Sequence, residues 1–439
     1  MNRDRIDSLR SKILNYLRSL GMDSSSIDFE SNVQNIRRQM KDGLSGSPES
    51  LLMIPTYIPV DGTVKNGQKV LVIDAGGSNL RTAAVTFNDF GKALISDFEK
   101  HPMIGKEGYS VTADEFFDRL AGYIAPYCSQ TDRIGFCFSF PSEIYPNRDG
   151  RIINFNKDVL ITGAEGRMLG EGLNASLAKL GIEGKKITVL NDTVAAMLAG
   201  ISENCKRQYS NYFGFIYGTG INLAYGEKSG NIGKLPSGVP GIPDVMAINT
   251  EIGEYNGFER GVVDRRLDSE SLAPGSHVFE KMFSGAYMGR LITMTLKQAA
   301  GDGLFSDKAA EMILAMDELS LKEIDDFIIY PLSTSRLAGV CGSHDDSLAA
   351  YLIIDELYER AAKMTAACFT AVMESSGTGY DPLMPVCITV EGTAYAKSAI
   401  FPGKLDSCIA RYMTPRGLHL SIVQVLNADL IGSAIAALK

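Results

Sequence analysis

An α/β protein whose two lobes face a shared cleft is what this chain predicts, and three observations carry that reading. At 439 residues the chain exceeds a typical single domain. Strand-like apolar runs alternate with helical patterns from about residue 62 to 190, the mark of an α/β lobe. Two hairpin-like segments, LVIDAGGSNLRTAAVTF from Leu71 and YFGFIYGTGINLAYGE from Tyr212, follow one plan of apolar strand, glycine turn and apolar strand without sharing sequence.

Taken in order, residues 1 to about 43 read as two helices. The first, MNRDRIDSLRSKILNYLRSL, is amphipathic with acidic and basic residues mixed on its polar face. It is expected to pack against the body and has no signal-peptide core. The Gly-, Ser- and Pro-rich loop DGLSGSPES is the first break, and LLMIPTYIPV follows as an extended strand with two prolines. Residues 1–61 are assigned to the large lobe. The small lobe, 62–190, holds the first hairpin, the strand IGFCFSFPSEI at Ile134, a glycine-rich turn region with IINFNKD, a helix from about Arg167, and the buried run KKITVL before Asn191. The rest of the large lobe, 191–428, holds the second hairpin, helical patterns from about Phe279 to Ala300 and Leu348 to Ser375, and the strand PVCITVEGTAY at Pro385. Residues 429–439, ending in IGSAIAALK, form a helix expected to return to the small lobe.

Composition narrows the function classes. Apolar residues at 45% and charged residues at 22% are ordinary globular usage. A net charge of −9 argues against nucleic-acid or anionic-membrane partners, which need clustered Lys and Arg. Seven scattered cysteines with no C-x-x-C pair suggest reduced, mostly buried thiols and a cytoplasmic location rather than disulfides or zinc. The four histidines, His101, His277, His344 and His419, lack metal-ligand spacing and read as structural or surface residues. Gly170, Gly172 and Ala175 satisfy G-x-G-x-x-A, but no strand precedes them, so a dinucleotide site is not indicated. No G-x-x-x-x-G-K-[ST] loop occurs.

The first hairpin turn has the residues to handle phosphate. Gly76 and Gly77 permit the positive φ angles of a tight turn and let backbone N–H groups approach an anion. Ser78, Asn79 and Arg81 follow, and Asp74 at the end of the first apolar run could hold Mg²⁺ through its waters. An ordinary Gly-Gly hairpin has the same pattern. Asp192 follows the apolar strand ITVL, where open α/β sheets place ligands, and is also suited to capping the next helix, a role that could fall to Thr193 instead.

Four clusters in this order resemble the hexokinase family. They are DAGGSNLR at Asp74, FSFPSE at Phe138 followed by NFNKD at Asn154, NDT at Asn191, and GTGIN at Gly218 followed by INTEIG at Ile248 and FEKMFSGAYMG at Phe279. MIPTYI and VEGTAY at Val390 extend the resemblance over nearly the whole chain. Ser78 stands where the family has threonine, Asn156 replaces a threonine before Lys157, and the family's C-terminal D-G-S-G-x-G survives only as Asp429 and Gly432. The resemblance implies an actin-like ATPase (ribonuclease H-like) fold with ATP, Mg²⁺ and a hexose meeting in the interlobe cleft. The reaction it implies is phosphorylation of the 6-hydroxyl of glucose or a related hexose.

A sugar kinase needs a carboxylate beside the attacking hydroxyl, and Asp192 is the candidate base. Lys157 would meet the transferring phosphoryl as a point charge, although most lysines are simply solvated. Sugar hydroxyls both donate and accept, so Asn191, Asn222, Glu251 and Glu280, with Ser139, Phe140, Pro141 and Asn156 from the small lobe, form the expected sugar set. Glu280 also suits an exposed helix face. Gly218, Thr219 and Gly220 would contact phosphate from the other lobe and Thr393 would add to them, while Arg81 suits either phosphate or an interlobe salt bridge. Rival readings are a kinase for mannose, fructose or an N-acetylhexosamine, a catalytically silent hexose sensor, and a filament or chaperone ATPase of the same superfamily. Monomer and homodimer are both compatible with the sequence.

Overall fold

The computed structural model describes residues 3–77, 79–106, 108–155, 159–203 and 207–439. A six-stranded and a five-stranded mixed sheet carry the fold. Ile54–Pro59 (β1) belongs to the larger sheet and precedes the smaller one in the chain. In the smaller sheet Val70–Ala75 (β2), Asn79–Phe87 (β3) and Ala93–Pro102 (β4) form an antiparallel meander. Arg133–Phe138 (β5) and Lys186–Leu190 (β6) then add in parallel on the other side of β2.

The larger sheet repeats that plan. Asn211–Tyr217 (β7), Ile221–Lys228 (β8) and Val245–Asn249 (β9) are the meander, and Val386–Glu391 (β10) and Leu420–Val423 (β11) add in parallel beside β7. The orders are β6-β5-β2-β3-β4 and β11-β10-β7-β8-β9-β1, so each glycine turn joins the first two strands of its sheet's meander. β2, VLVIDA, is buried at every position, as befits a central strand covered on both faces.

Helices Arg3–Ser19 (α1) and Phe29–Ser45 (α2) pack on the large lobe. Their apolar stripes, including Ile13, Leu17, Val33 and Ile36, are fully buried. Asp28 caps α2 by accepting from the Ser31 N–H at 3.0 Å. Two further helices lie between the sheets. Asp192–Glu203 (α3) packs on β7 and β10, and the C-terminal helix Ala428–Leu438 packs on α3 and on β2, β5 and β6 of the smaller sheet. The two helices touch backbone to backbone at Gly432, where a Cβ would lie 1.8 Å from the Ala195 carbonyl oxygen.

Some expected elements differ. The pattern from Phe279 to Ala300 is two helices, Val278–Phe283 (α4) and Met288–Gly301, because the chain between them bonds the second glycine turn instead of itself. The pattern from Leu348 extends back to His344, giving a helix of 33 residues. The run at Pro385 ends as a strand at Glu391 and turns into the short helix Thr393–Lys397. Gly172 sits inside the helix Leu169–Lys179, where a Cβ would meet the Phe117 ring at 2.5 Å, so packing accounts for that glycine.

Candidate active site

The pairing register of the smaller sheet puts Asp74 opposite Arg81 on β3 and beside Cys137 on β5, with Asp74 only 2% exposed. Arg81 donates from Nε to Asp74 Oδ2 at 2.5 Å and from Nη2 to Asp429 Oδ2, on the C-terminal helix, at 2.7 Å. Arg81 was expected to suit phosphate or an interlobe salt bridge; the ion pairs observed instead join β3 to β2 and to the C-terminal helix packed on the same sheet, with two buried carboxylates engaging the guanidinium. Burial pushes the Asp74 carboxyl above the usual range although Arg81 opposes it. Asp429 is pushed further up by burial and by repulsion from Asp74 and Glu391. Glu391, at the end of β10, is pushed up to about 7 by burial, with Arg81 opposing and Asp192 and Asp74 adding to the effect.

Three carboxyl groups share one cation, which favours protonation of those left unpaired, and Asp429 Oδ1 is buried with no hydrogen-bond partner. Among the described residues no group of three His, Cys, Asp or Glu side chains could hold an ion directly. The orphaned Asp429 oxygen beside the clustered carboxyl groups fits a magnesium ion that keeps its waters and takes its other ligands from phosphate. Gly76 avoids the left-handed region that the Gly-Gly pair was expected to use, and its N–H donates to the Asn79 carbonyl at 3.1 Å. Lys106, a cation the sequence did not single out, donates from Nζ to the Gly77 carbonyl at 3.0 Å. Asn79 is exposed at the start of β3.

The second turn is braced from within the large lobe. The Gly218 N–H donates to the Gly220 carbonyl at 3.0 Å, while the N–H groups of Gly285 and Ala286 donate to the carbonyls of Gly218 and Thr219 at 2.8 and 3.1 Å. Gly392 abuts the same turn, since a Cβ on it would lie 2.3 Å from the Tyr217 carbonyl oxygen. Thr219 and Thr393, both exposed, therefore come from adjacent strand ends.

Asp192 is the first residue of α3, directly after β6 and Asn191. Asn191 Oδ1 accepts the Thr193 N–H at 2.8 Å and Asp192 Oδ1 accepts it at 2.7 Å. The capping role left open for Thr193 is thus filled by its two predecessors, and Thr193 is the donor. On the far side of Asp192, three polar side chains form a chain: Asn222 donates to Asn249 Oδ1 at 2.8 Å and Asn249 donates to Glu251 Oε1 at 2.7 Å. Burial pushes Glu251 up to about 7, with Asn249 opposing and Asp192 contributing repulsion. Glu280, on α4, accepts the Ile221 N–H at 3.1 Å, so it touches the second turn and is not a plain exposed-face residue.

From the small lobe, Ser139 follows β5 with its N–H donating to the Ala75 carbonyl at 3.1 Å. Phe140 is 2% exposed, its ring 5.2 and 4.9 Å from those of Phe138 and Phe155, so it supports the site from within the core. Pro141 is exposed and accepts the Ile153 N–H at 3.0 Å. A small interlobe cavity is lined by Phe140 and Ser142 from one side and by Asn191, Asn249 and Glu251 from the other. Ser78, Asn156 and Lys157 lie outside the described residues.

Family profiles described as Hexokinase match residues 16–202 and 212–439. The chain belongs to the hexokinase family. It is 27% identical over 405 residues to hexokinase-3 of Mus musculus, covering 87% of this chain and 42% of that protein. To hexokinase-2 of Candida albicans it is 29% identical over 285 residues, 61% of this chain and 57% of that one. The chain thus spans less than half the length of the mouse relative. A solved hexokinase from Schistosoma mansoni complexed with glucose superposes with a TM-score of 0.76 at 23% identity, covering 99% of this chain and 100% of that one. A glucokinase from an Antarctic psychrotroph gives 0.53 at 14% identity. The fold is the two-lobed actin-like ATPase fold, consistent with the repeated sheet plan.

In this hexokinase-family chain, sequence reasoning passed over Glu391, Asn249, Lys106 and Glu254, and read His277 as a structural or surface residue. Glu391 stood inside the quoted VEGTAY run, and Asn249 and Glu254 flank Glu251, so proximity to a motif was the signal available for those three. His277, set aside as structural or surface, is half-exposed and pairs with Glu254 at 2.8 Å.

Proposed function

We propose that this chain transfers the γ-phosphoryl group of ATP to the 6-hydroxyl of a hexose, glucose first among them, with Asp192 as general base. The observation that carries this reading is the electrostatic position of Asp192. Burial raises the pKa values of Asp74, Asp429, Glu391 and Glu251, and Asp192 adds repulsion to each. Its neighbour Asn191 lines the interlobe cavity with Asn249 and Glu251, so Asp192 is linked both to a cluster suited to Mg–phosphate and to one suited to sugar hydroxyls.

The division of labour follows from the chemistry. Asn191, Asn222, Glu251 and Glu280 would accept and donate to the sugar hydroxyls and orient the 6-hydroxyl toward Asp192, which takes its proton as the oxygen attacks phosphorus. Backbone N–H groups and hydroxyls of the two turns, Gly76 to Asn79 and Gly218 to Gly220 with Thr393, would cradle the phosphates, and Lys157 would meet the moving phosphoryl. Magnesium, when bound with ATP, supplies positive charge at the phosphate oxygens, and Asp74 is the residue to hold it through water. Closure of the lobes on sugar would exclude competing water. The six described cysteines are free and buried, which supports a reducing, cytoplasmic setting.

The test is ADP release measured with ATP, Mg²⁺ and a panel of glucose, mannose, fructose, glucosamine, N-acetylglucosamine and glycerol. Hexose-dependent release is expected, greatest with glucose. Hexose binding without release would make the chain a sensor, and release that ignores sugar would overturn the reading.

A further inference from the structure

The segments that carry Glu251 and Glu280 are joined by a residue pair that the chemistry above does not use. Glu254 lies three residues after Glu251, at the end of the short turn Ile252–Glu254, and His277 lies three residues before Glu280, immediately ahead of α4. Glu254 Oε2 accepts the His277 backbone N–H at 2.8 Å, and Oε1 meets His277 Nδ1 at 2.8 Å. One carboxylate gripping one residue at two points fixes orientation as well as distance.

The backbone at the start of each segment is unusual. Glu251 has φ 55 and ψ 47, and His277 has φ 50 and ψ 43. Left-handed conformations are unfavourable for residues with a Cβ and persist where surrounding contacts hold them. Gly253, between Glu251 and Glu254, lets Glu280 come close: a Cβ there would lie 3.5 Å from Glu280 Cβ and 2.8 Å from the Ile221 carbonyl oxygen. Two strained segments therefore pack against each other, and the Glu254–His277 contact ties them together.

Building on the hexose-kinase reading, we propose that His277 and Glu254 are positioning residues that brace the two sugar-side carboxylates, Glu251 and Glu280, at the separation a hexose requires. The charges facing His277 are Glu254 and Glu251 from the preceding turn and Glu280 from its own helix. Lys281, next on that helix, donates to Asp268 at 2.6 Å. The Glu254 hydrogen bond holds His277 above its ordinary pKa, and His277 in turn favours the ionised form of Glu251. Removing the imidazole should therefore also raise the pH at which Glu251 ionises.

The experiment uses the full chain and compares wild type, His277→Asn, Glu254→Gln and the double variant by glucose calorimetry and steady-state kinetics with ATP and Mg²⁺. Asparagine tolerates the left-handed backbone, so His277→Asn removes the side-chain half of the brace without adding strain. Each single variant should raise glucose Kd and KM roughly tenfold with kcat within about threefold, and the double should be little worse than either single, as expected when both changes break one contact. The pH midpoint of glucose binding should move upward in His277→Asn. Should that variant misfold, Glu254→Gln, which leaves the strained backbone residue in place, carries the same prediction. Wild-type glucose affinity in the folded variants, additive losses in the double, or a fall in kcat alone would overturn the brace. A wild-type chain that binds no hexose would instead overturn the parent reading.

Discussion

The turn between β2 and β3 stands beside a buried ion-pair cluster, whereas the turn between β7 and β8 is hemmed in by backbone and by the Glu280 carboxylate. In the first, Asp74 meets Arg81 and, through it, Asp429 from the far end of the chain. Among the described residues, the nearest atom to a Cβ built on Gly76 is the Asn79 carbonyl oxygen at 3.6 Å. In the second, Gly285, Ala286 and Gly392 press on Gly218 and Thr219. Two hairpins laid down on one plan thus have different work: the first sets Asp74 within a charged cluster, and the second is a frame against which Glu280 is set.

The largest way to break that contrast is Gly392→Ala. The residue has φ 120, and its new Cβ would lie 2.3 to 2.6 Å from backbone atoms of Tyr217 and Gly218 that cannot turn aside. We expect a loss of about 4 kcal/mol in denaturant unfolding, from strain and overpacking together. A midpoint like the wild type's would show that the second turn is not rigid. Next comes Arg81→Met, which strands two buried carboxylates and should cost about 3 kcal/mol at pH 8. Asp74 and Asp429 both have raised pKa values, so their neutral forms are favoured in the fold and stability is lost as pH rises through those values. The deficit of the variant should therefore shrink at pH 5. A deficit independent of pH would contradict the charged account of the first turn.

A smaller and more selective effect is expected of Gly220→Ala, whose Cβ would meet Glu280 Oε2 at 2.5 Å. A side-chain end can move, so stability should change by less than about 1 kcal/mol while glucose KM rises about tenfold. Unchanged KM would detach Glu280 from the sugar. Smallest of all, Gly76→Ala should leave unfolding within about 0.5 kcal/mol of wild type. A loss as large as that of Gly392→Ala would erase the difference between the turns.

How much of this was legible beforehand depended on whether the cause was local. The glycine turns, the buried strand VLVIDA and the strand leading to Asn191 and Asp192 are written in adjacent residues, because apolar runs and glycines act over a few positions. The pairing of Arg81 with Asp429 spans 348 residues, and nothing near Arg81 distinguishes it from a phosphate ligand. The break between Phe283 and Met288 has a local cause in Gly285, a poor helix former, and a tertiary one in the carbonyls of Gly218 and Thr219, which take the Gly285 and Ala286 N–H groups. His277 carried no signal at all: an isolated histidine acquires meaning only when Glu254 is folded against it. Phe140, read from a sugar motif, proves to serve two surroundings, its ring packed on Phe138 and Phe155 while it also lines the interlobe cavity.

The central claim is that Asp192 takes the proton of the sugar hydroxyl between the two clusters. Its most direct test pairs glucose calorimetry with turnover in Asp192→Ala. The account predicts glucose affinity within a few-fold of wild type and turnover lowered ~10²–10⁴-fold, the usual size of a general-base contribution. Turnover near that of the wild type would contradict it.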